Sequence, residues 1–213
     1  MLRPIGSPLP LGIFALVPAG MLLAGLQLGW FLPTEQHTVA YLLLGFAVPL
    51  QAVSTVLAFH ARDALVATGF GIFTGSWLAF ALASLNGPPG HTSNVLGVFF
   101  LSVAGVFAML TVGGLVGGKA AAGAVILFGS ARFVLSGLYE LTSATGVAHA
   151  AGIVGLVFVG VAAYVGVAAL LEDAAHRTIL PVGRRGQARA AIEEDLSAQL
   201  RELLHEAGVR EQL

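Results

Sequence analysis

Six stretches of about twenty residues, almost free of charge, follow one another along this chain and limit what it can become. They run Leu11 to Leu32, Thr38 to Phe59, Ala64 to Leu85, Val95 to Val116, Ala120 to Leu141 and Val147 to Leu171. A helix crosses about 30 Å of hydrocarbon in about 20 residues, and in lipid each backbone N–H and C=O must find its partner inside the protein. The runs therefore predict an all-α integral membrane fold of six transmembrane helices. A soluble domain is excluded, because only 10% of residues are charged and 57% are hydrophobic, against about a quarter charged in ordinary soluble proteins.

Charge also divides the chain. Arg3, Glu35, Arg62, Asp63, Lys119, Arg132 and Glu140 are the only charged residues before position 172; fourteen lie in 172–213. The expected organisation is a membrane body over 1–171, a polar linker over 172–186 and an amphipathic helix over 187–213, where Ile192, Leu196, Leu200, Leu203, Leu204 and Ala207 recur at helical spacing. An even number of spans puts both termini on one side. Arg3, Arg62, Lys119 and the tail arginines share that side, and the three opposite links hold no Lys or Arg, so the termini are expected to be cytoplasmic. The first ten residues show no separate cleavable signal, so the first run is expected to be retained. Net charge of -1 gives no support for nucleic acid, and the absence of cysteine removes disulfides, thiolate metal sites and Cys nucleophiles.

The 28 glycines need a use, since Gly in a soluble helix costs about 1 kcal/mol relative to Ala. Gly25/Gly29, Gly71/Gly75, Gly113/Gly117 and Gly114/Gly118 are four-residue pairs that smooth one helical face for close packing, within a protomer or between protomers. Pro18 and Pro49 fall inside the first and second runs, where each removes a helical hydrogen bond and is expected to bend the helix.

No metal-protease, hydrolase or phosphate-loop motif is present, so the sequence points to no enzyme, cofactor or metal. Polar residues in the body carry the remaining signal. Arg132 lies about 18 Å along a span about 30 Å deep, close to the middle of the hydrocarbon, where a cation needs compensation. Glu140 is eight residues on, about 12 Å of rise and 80° of rotation away, too far for a salt bridge within one helix. Arg132 must instead meet a carbonyl, water, another protomer, an acid on another helix or an anionic solute; the buried pair with an acid is the favoured expectation. Glu140 and His149 are expected at the outer mouth, with His37 and His91 at the same side, and Gln51 is a lone amide near the centre of the second run.

Both ends of the body carry a resemblance. Ser7-Pro8-Leu9-Pro10-Leu11-Gly12 resembles the N-P-A-P-L-G signature of the acetate uptake transporter family, the bacterial succinate/acetate permeases and their fungal relatives. Arg177-Thr178-Ile179-Leu180-Pro181-Val182-Gly183 resembles that family's ending after the sixth helix, with Tyr164 thirteen residues before it. Between them Gln51, Thr68, Phe70, Trp77 and Leu96-Gly97-Val98-Phe99 fall in register. The resemblance implies a homohexamer in the plasma (inner) membrane with one pore per subunit. The pore would pass acetate and other short monocarboxylates, with succinate and proton linkage within its range. It also implies that Ser7, Pro8, Pro10, Leu11, Gly12 and Gln51 border the path and that Leu16, Phe73 and Leu135 form its constriction. Three departures stand out: Ser7 replaces the signature Asn, Ala58 a helix-two Glu, and Phe73 a helix-three Tyr. Arg132 and Glu140 have no counterpart in the family pattern. The alternatives are a channel for a small neutral solute such as ammonia or urea, and a membrane sensor or scaffold acting through the tail.

Overall fold

The computed structural model describes residues 6–175, 177–186 and 188. Its helices are α1 (Leu9–Gln27), α2 (Gln36–Leu42), α3 (Val48–His60), α4 (Ala64–Asn86), α5 (Asn94–Val116), α6 (Ala120–Thr142) and α7 (Thr145–Ala175). A short 3-10 turn, Pro33–Glu35, precedes α2, and a π turn, Leu43–Ala47, joins α2 to α3, so that Pro33–His60 forms the second of six spans long and apolar enough to cross a membrane. Among the described residues there is no strand beyond one bridge between Lys119 and Arg184. The predicted tail helix lies, apart from Ala188, outside the described residues.

The spans are bundled inside out. Large side chains such as Val116, 84% exposed, Met109, Tyr41 and Phe59 point away from the bundle, as lipid contact requires, while Phe73, Trp77, Phe107, Phe133 and Phe158 turn inward with polar groups such as Gln51 and Arg132. Contacts fix two ends. Gly166 meets Ile13 and Phe14, Asp63 pairs with Lys119, and Tyr164 reaches Pro181, which gathers the two described chain ends and two links on one face, here the proximal face. Gly152 meets Leu28, Gly90 bonds Gln36 and Ser93 bonds Glu140, which gathers the other three links on the distal face.

Local chemistry sets the helix ends. α1 stops at Gln27, five residues before the predicted Leu32, because Gly29 adopts a φ of 73° and the chain turns back. Trp30 N–H then donates to Gly25 O and Gly29 N–H to Leu26 O, a Schellman closure. α5 closes the same way at Gly118, where φ is 70° and Lys119 N–H donates to Gly114 O. α7 runs to Ala175, past the predicted end at Leu171. Pro49 is the second residue of α3, just past the π turn, and a wider turn of this kind accommodates a proline ring that would crowd a carbonyl in a regular helix.

The glycine pairs divide by position. Gly75 has open space and Gly113 meets only Leu65 at 3.9 Å, so these two glycines do not bring helices together within the protomer, whereas at Gly71 a Cβ would lie 3.3 Å from Thr55 on α3. The close approaches lie at Gly97 against Gly137, whose added Cβ atoms would each stand 2.9 to 3.0 Å from the other's carbonyl, and at Gly114 against Gly123. Both join α5 to α6.

Past α7 the chain folds back over the α5–α6 turn. Val182 O accepts from Ala121 N–H, Arg185 N–H donates to Gly118 O at 3.0 Å, and Pro181 O accepts from the Tyr164 hydroxyl at 2.8 Å. Arg184 pairs with Glu172. The segment read as a polar linker is thus a strap bonded to the proximal face.

Candidate functional site

A cavity of about 460 Å³ opens at the distal face and descends between α1, α4, α5, α6 and α7. Its rim carries His91, His149, Gln36, Ser143 and Thr145; Glu140 and Tyr139 stand below. Its floor is aromatic. Phe73 packs against Trp77, Phe107, Phe133 and Phe158 with ring centroids 4.5 to 6.1 Å apart, distances typical of favourable aromatic pairing. Gly129 makes room for this cluster, since a Cβ there would lie 3.0 Å from the tip of Phe73 and 3.4 Å from Phe158. Phe107 and Leu16 are completely buried beneath.

Arg132 lines the cavity near this floor and is 4% exposed. Its Nη1 donates to Gly20 O at 3.1 Å and its Nη2 to Gln27 Oε1 at 3.3 Å. Gln27 in turn donates through Nε2 to Ser136 Oγ at 2.8 Å. The expected acid partner is absent among the described residues; neutral acceptors on α1 compensate the cation instead. Gly155 makes room for this, since a Cβ there would stand 3.1 Å from the guanidinium carbon and 3.3 Å from Nη1. Glu140 is buried and accepts from the backbone N–H of Ser93 at 2.7 Å, fixing the start of α5 where the helix dipole favours a negative group.

The remaining sequence candidates take several places. Gln51 is fully buried and donates to Gly12 O at 3.2 Å while accepting from Trp77 Nε1 at 2.8 Å, so it ties α1 to α4. Gly12 must be glycine, because a Cβ would fall 2.2 Å from the Phe70 ring. Pro8 caps α1 and is buried, Ser7 and Pro10 are half-buried beside it, and Leu11 is exposed on the outside. Of the three residues read as the constriction, Leu16 and Phe73 are buried in the core beneath and at the floor. Leu135 is half-buried and does not line the cavity; Phe133 and Phe158 stand there instead. His149 is exposed at the rim, and His37 lies apart, bonded to Gly87 O.

Gln27, Ser136, Gly129, Phe133 and Phe158 also line the cavity, and none of them is a candidate from the sequence. Two left a trace. Gln27 is the lone amide in the first run, and Ser136 is one helical turn from Arg132, on the same side of α6.

No family model matches the chain, and no curated protein does. Among solved structures, one described as the bacterial acetate channel SatP matches with a TM-score of 0.75 and 20% identity over 84% of this chain and 99% of that one. The fold is that of this acetate channel. At 20% identity the likeness lies in helix order and packing.

Proposed function

We propose that the chain is a transmembrane channel for acetate and related short monocarboxylates, belonging to the acetate uptake transporter family, and not an enzyme. The observation that carries this reading is a buried cation, Arg132, beside an aromatic floor at the bottom of a cavity, in the fold of an acetate channel. A monocarboxylate has both halves of that chemistry, a charged head and an apolar body. At pH 7 about 0.2% of such an acid is neutral, taking the Glu side chain as proxy, so the anion is the species that reaches the cavity. Its desolvation must be offset inside, and fixed donors near a low-dielectric floor do that.

In this reading the anion enters from the distal face, its head meets the polar wall of α6 and its body meets Phe73 and its neighbours. Passage then requires the rings above Leu16 to part. The proximal face is cytoplasmic by the distribution of Lys and Arg, protomers assemble as a homohexamer in the plasma membrane, and succinate and protons belong to the range to be tested. The test is uptake into vesicles containing the purified protein, with labelled acetate, succinate, urea and methylamine, each with and without a pH gradient. Acetate uptake above protein-free vesicles, with urea and methylamine at background, is the expected outcome. Urea or methylamine flux without acetate flux would replace the reading by a neutral-solute channel.

A further inference from the structure

Resting on that reading, we infer that Arg132 and Ser136 form a carboxylate-binding site specific to the anion, with Gln27 as the residue that positions both. A guanidinium carries five N–H donors. Among the described residues two of those on Arg132 have acceptors, Gly20 O and Gln27 Oε1, leaving three without one in a side chain that lines the cavity. Ser136 receives a hydrogen bond from Gln27 Nε2, which engages an oxygen lone pair and leaves its own hydroxyl proton without an acceptor among the described residues. Ser136 lies one turn above Arg132 on α6 and also lines the cavity. Free donors thus stand one turn apart on one wall, and the amide between them has already used its carbonyl oxygen. A carboxylate, with two oxygens and about four lone-pair sites, complements this arrangement. A neutral amide or ammonia would leave the cation uncompensated.

The apolar walls fix the other end of the ligand. Phe133 and Phe158 border the same cavity, and its volume of about 460 Å³ exceeds what a methyl group needs. The site therefore admits acids with larger bodies than the closed floor lets through. A branched acid such as pivalate binds at Arg132, is not passed, and blocks acetate.

Trp77 is in the cavity wall and supplies the readout, while Trp30, 56% exposed, is removed by Trp30→Phe. In the Trp30→Phe protein in detergent, acetate and pivalate are expected to change the Trp77 fluorescence saturably, whereas acetamide does not. The dissociation constant in total acid is expected to be the same at pH 6.0 and 7.5, although the neutral form falls roughly thirtyfold between them. Arg132→Gln is expected to weaken binding at least tenfold and Arg132→Lys less, since Lys keeps the charge without the planar fork. Ser136→Ala, which keeps Arg132 and its bond to Gly20 O while releasing Gln27 Nε2, is expected to weaken it several-fold and carries the test if Arg132→Gln does not fold. Unchanged affinity in folded Arg132→Gln, a dissociation constant that follows the neutral acid, or acetamide binding as well as acetate would each overturn the site. Acetate flux with Arg132-independent binding removes this site and leaves the channel reading. Arg132-dependent binding without acetate flux removes the channel reading and leaves the site.

Discussion

The indole N–H of Trp77 on α4 donates to Oε1 of Gln51 on α3 at 2.8 Å, and the same amide donates to the carbonyl of Gly12 on α1 at 3.2 Å. One fully buried side chain thus satisfies two groups on two neighbouring helices, and it does so next to the floor, because Trp77 stacks on Phe73 at 5.8 Å. Removing the amide strands both partners where no water can replace it.

Gln51→Leu is therefore expected to lower stability by about 1 to 3 kcal/mol, the cost of leaving buried groups unsatisfied. Trp77→Phe is expected to cost a similar amount by stranding Gln51 Oε1. The double variant is expected to cost less than the two singles added, because the second change removes a partner already lost. Thermal unfolding of the four proteins in one detergent checks this; strict additivity would mean that the bond contributes nothing.

Phe73 and Gly129 predict opposite effects on passage. Phe73→Ala with Leu16→Ala removes two large side chains from the floor and the core beneath it, at about 3 to 5 kcal/mol and 2 to 5 kcal/mol of stability respectively. Uptake of lactate or benzoate is expected to rise relative to acetate. Gly129→Ala adds a methyl 3.0 Å from the Phe73 ring, which must shift to admit it, and is expected to slow acetate uptake while leaving the fold intact. Unchanged relative uptake of the acids in the folded double variant would place the barrier elsewhere.

Arg132 shows how far the sequence reaches. Its depth follows from counting residues, and so does the exclusion of Glu140 as a direct partner. Its acceptors, Gly20 and Gln27, lie 112 and 105 positions away on α1, and nothing in one dimension pairs them with it. The six spans were legible because the hydrocarbon fixes their length, with most predicted ends within two residues of the helix ends observed. The misplaced end of α1 turned on Gly29, whose left-handed conformation is a local choice that hydropathy does not record. Gln51 stands out as a lone amide in an apolar run and Phe73 was reached through the resemblance, whereas Phe133 and Phe158, apolar residues in apolar runs, carried no mark of facing a cavity.

The glycines on α4 and α5 separate packing within the protomer from packing between protomers. Gly75→Leu with Gly113→Leu adds bulk where the protomer leaves open space or one distant contact, so the monomer's stability is expected to be unchanged. If these faces lie between subunits of the proposed hexamer, the particle should shift to smaller species in light scattering after size exclusion. Gly97→Leu is different: its Cβ would press within 3.0 Å of Leu141 and of the Gly137 carbonyl, and the α5–α6 pair should fail to form. An unchanged hexamer in the first variant would move the interface off α4 and α5.

The strap on the proximal face predicts that two truncations differ. Ending the chain after Gly186 keeps Pro181, Val182 and Arg185 and hence their bonds to Tyr164, Ala121 and Gly118. Acetate uptake and melting temperature are expected to stay near those of the full chain, and a complete loss of uptake at normal membrane level would favour a sensor or scaffold acting through the tail. Ending it after Glu172 removes the strap and the last helical residues, leaves Ala121 N–H and Gly118 O without these acceptor and donor groups, and deprives Glu172 of Arg184. Hydrogen bonds of this kind contribute about 0.5 to 1.5 kcal/mol each, less where water can replace them at the membrane surface. The shorter chain is therefore expected to melt several degrees lower, and a melting temperature equal to that of the Gly186 truncation would show that the strap lies on the bundle without stabilising it.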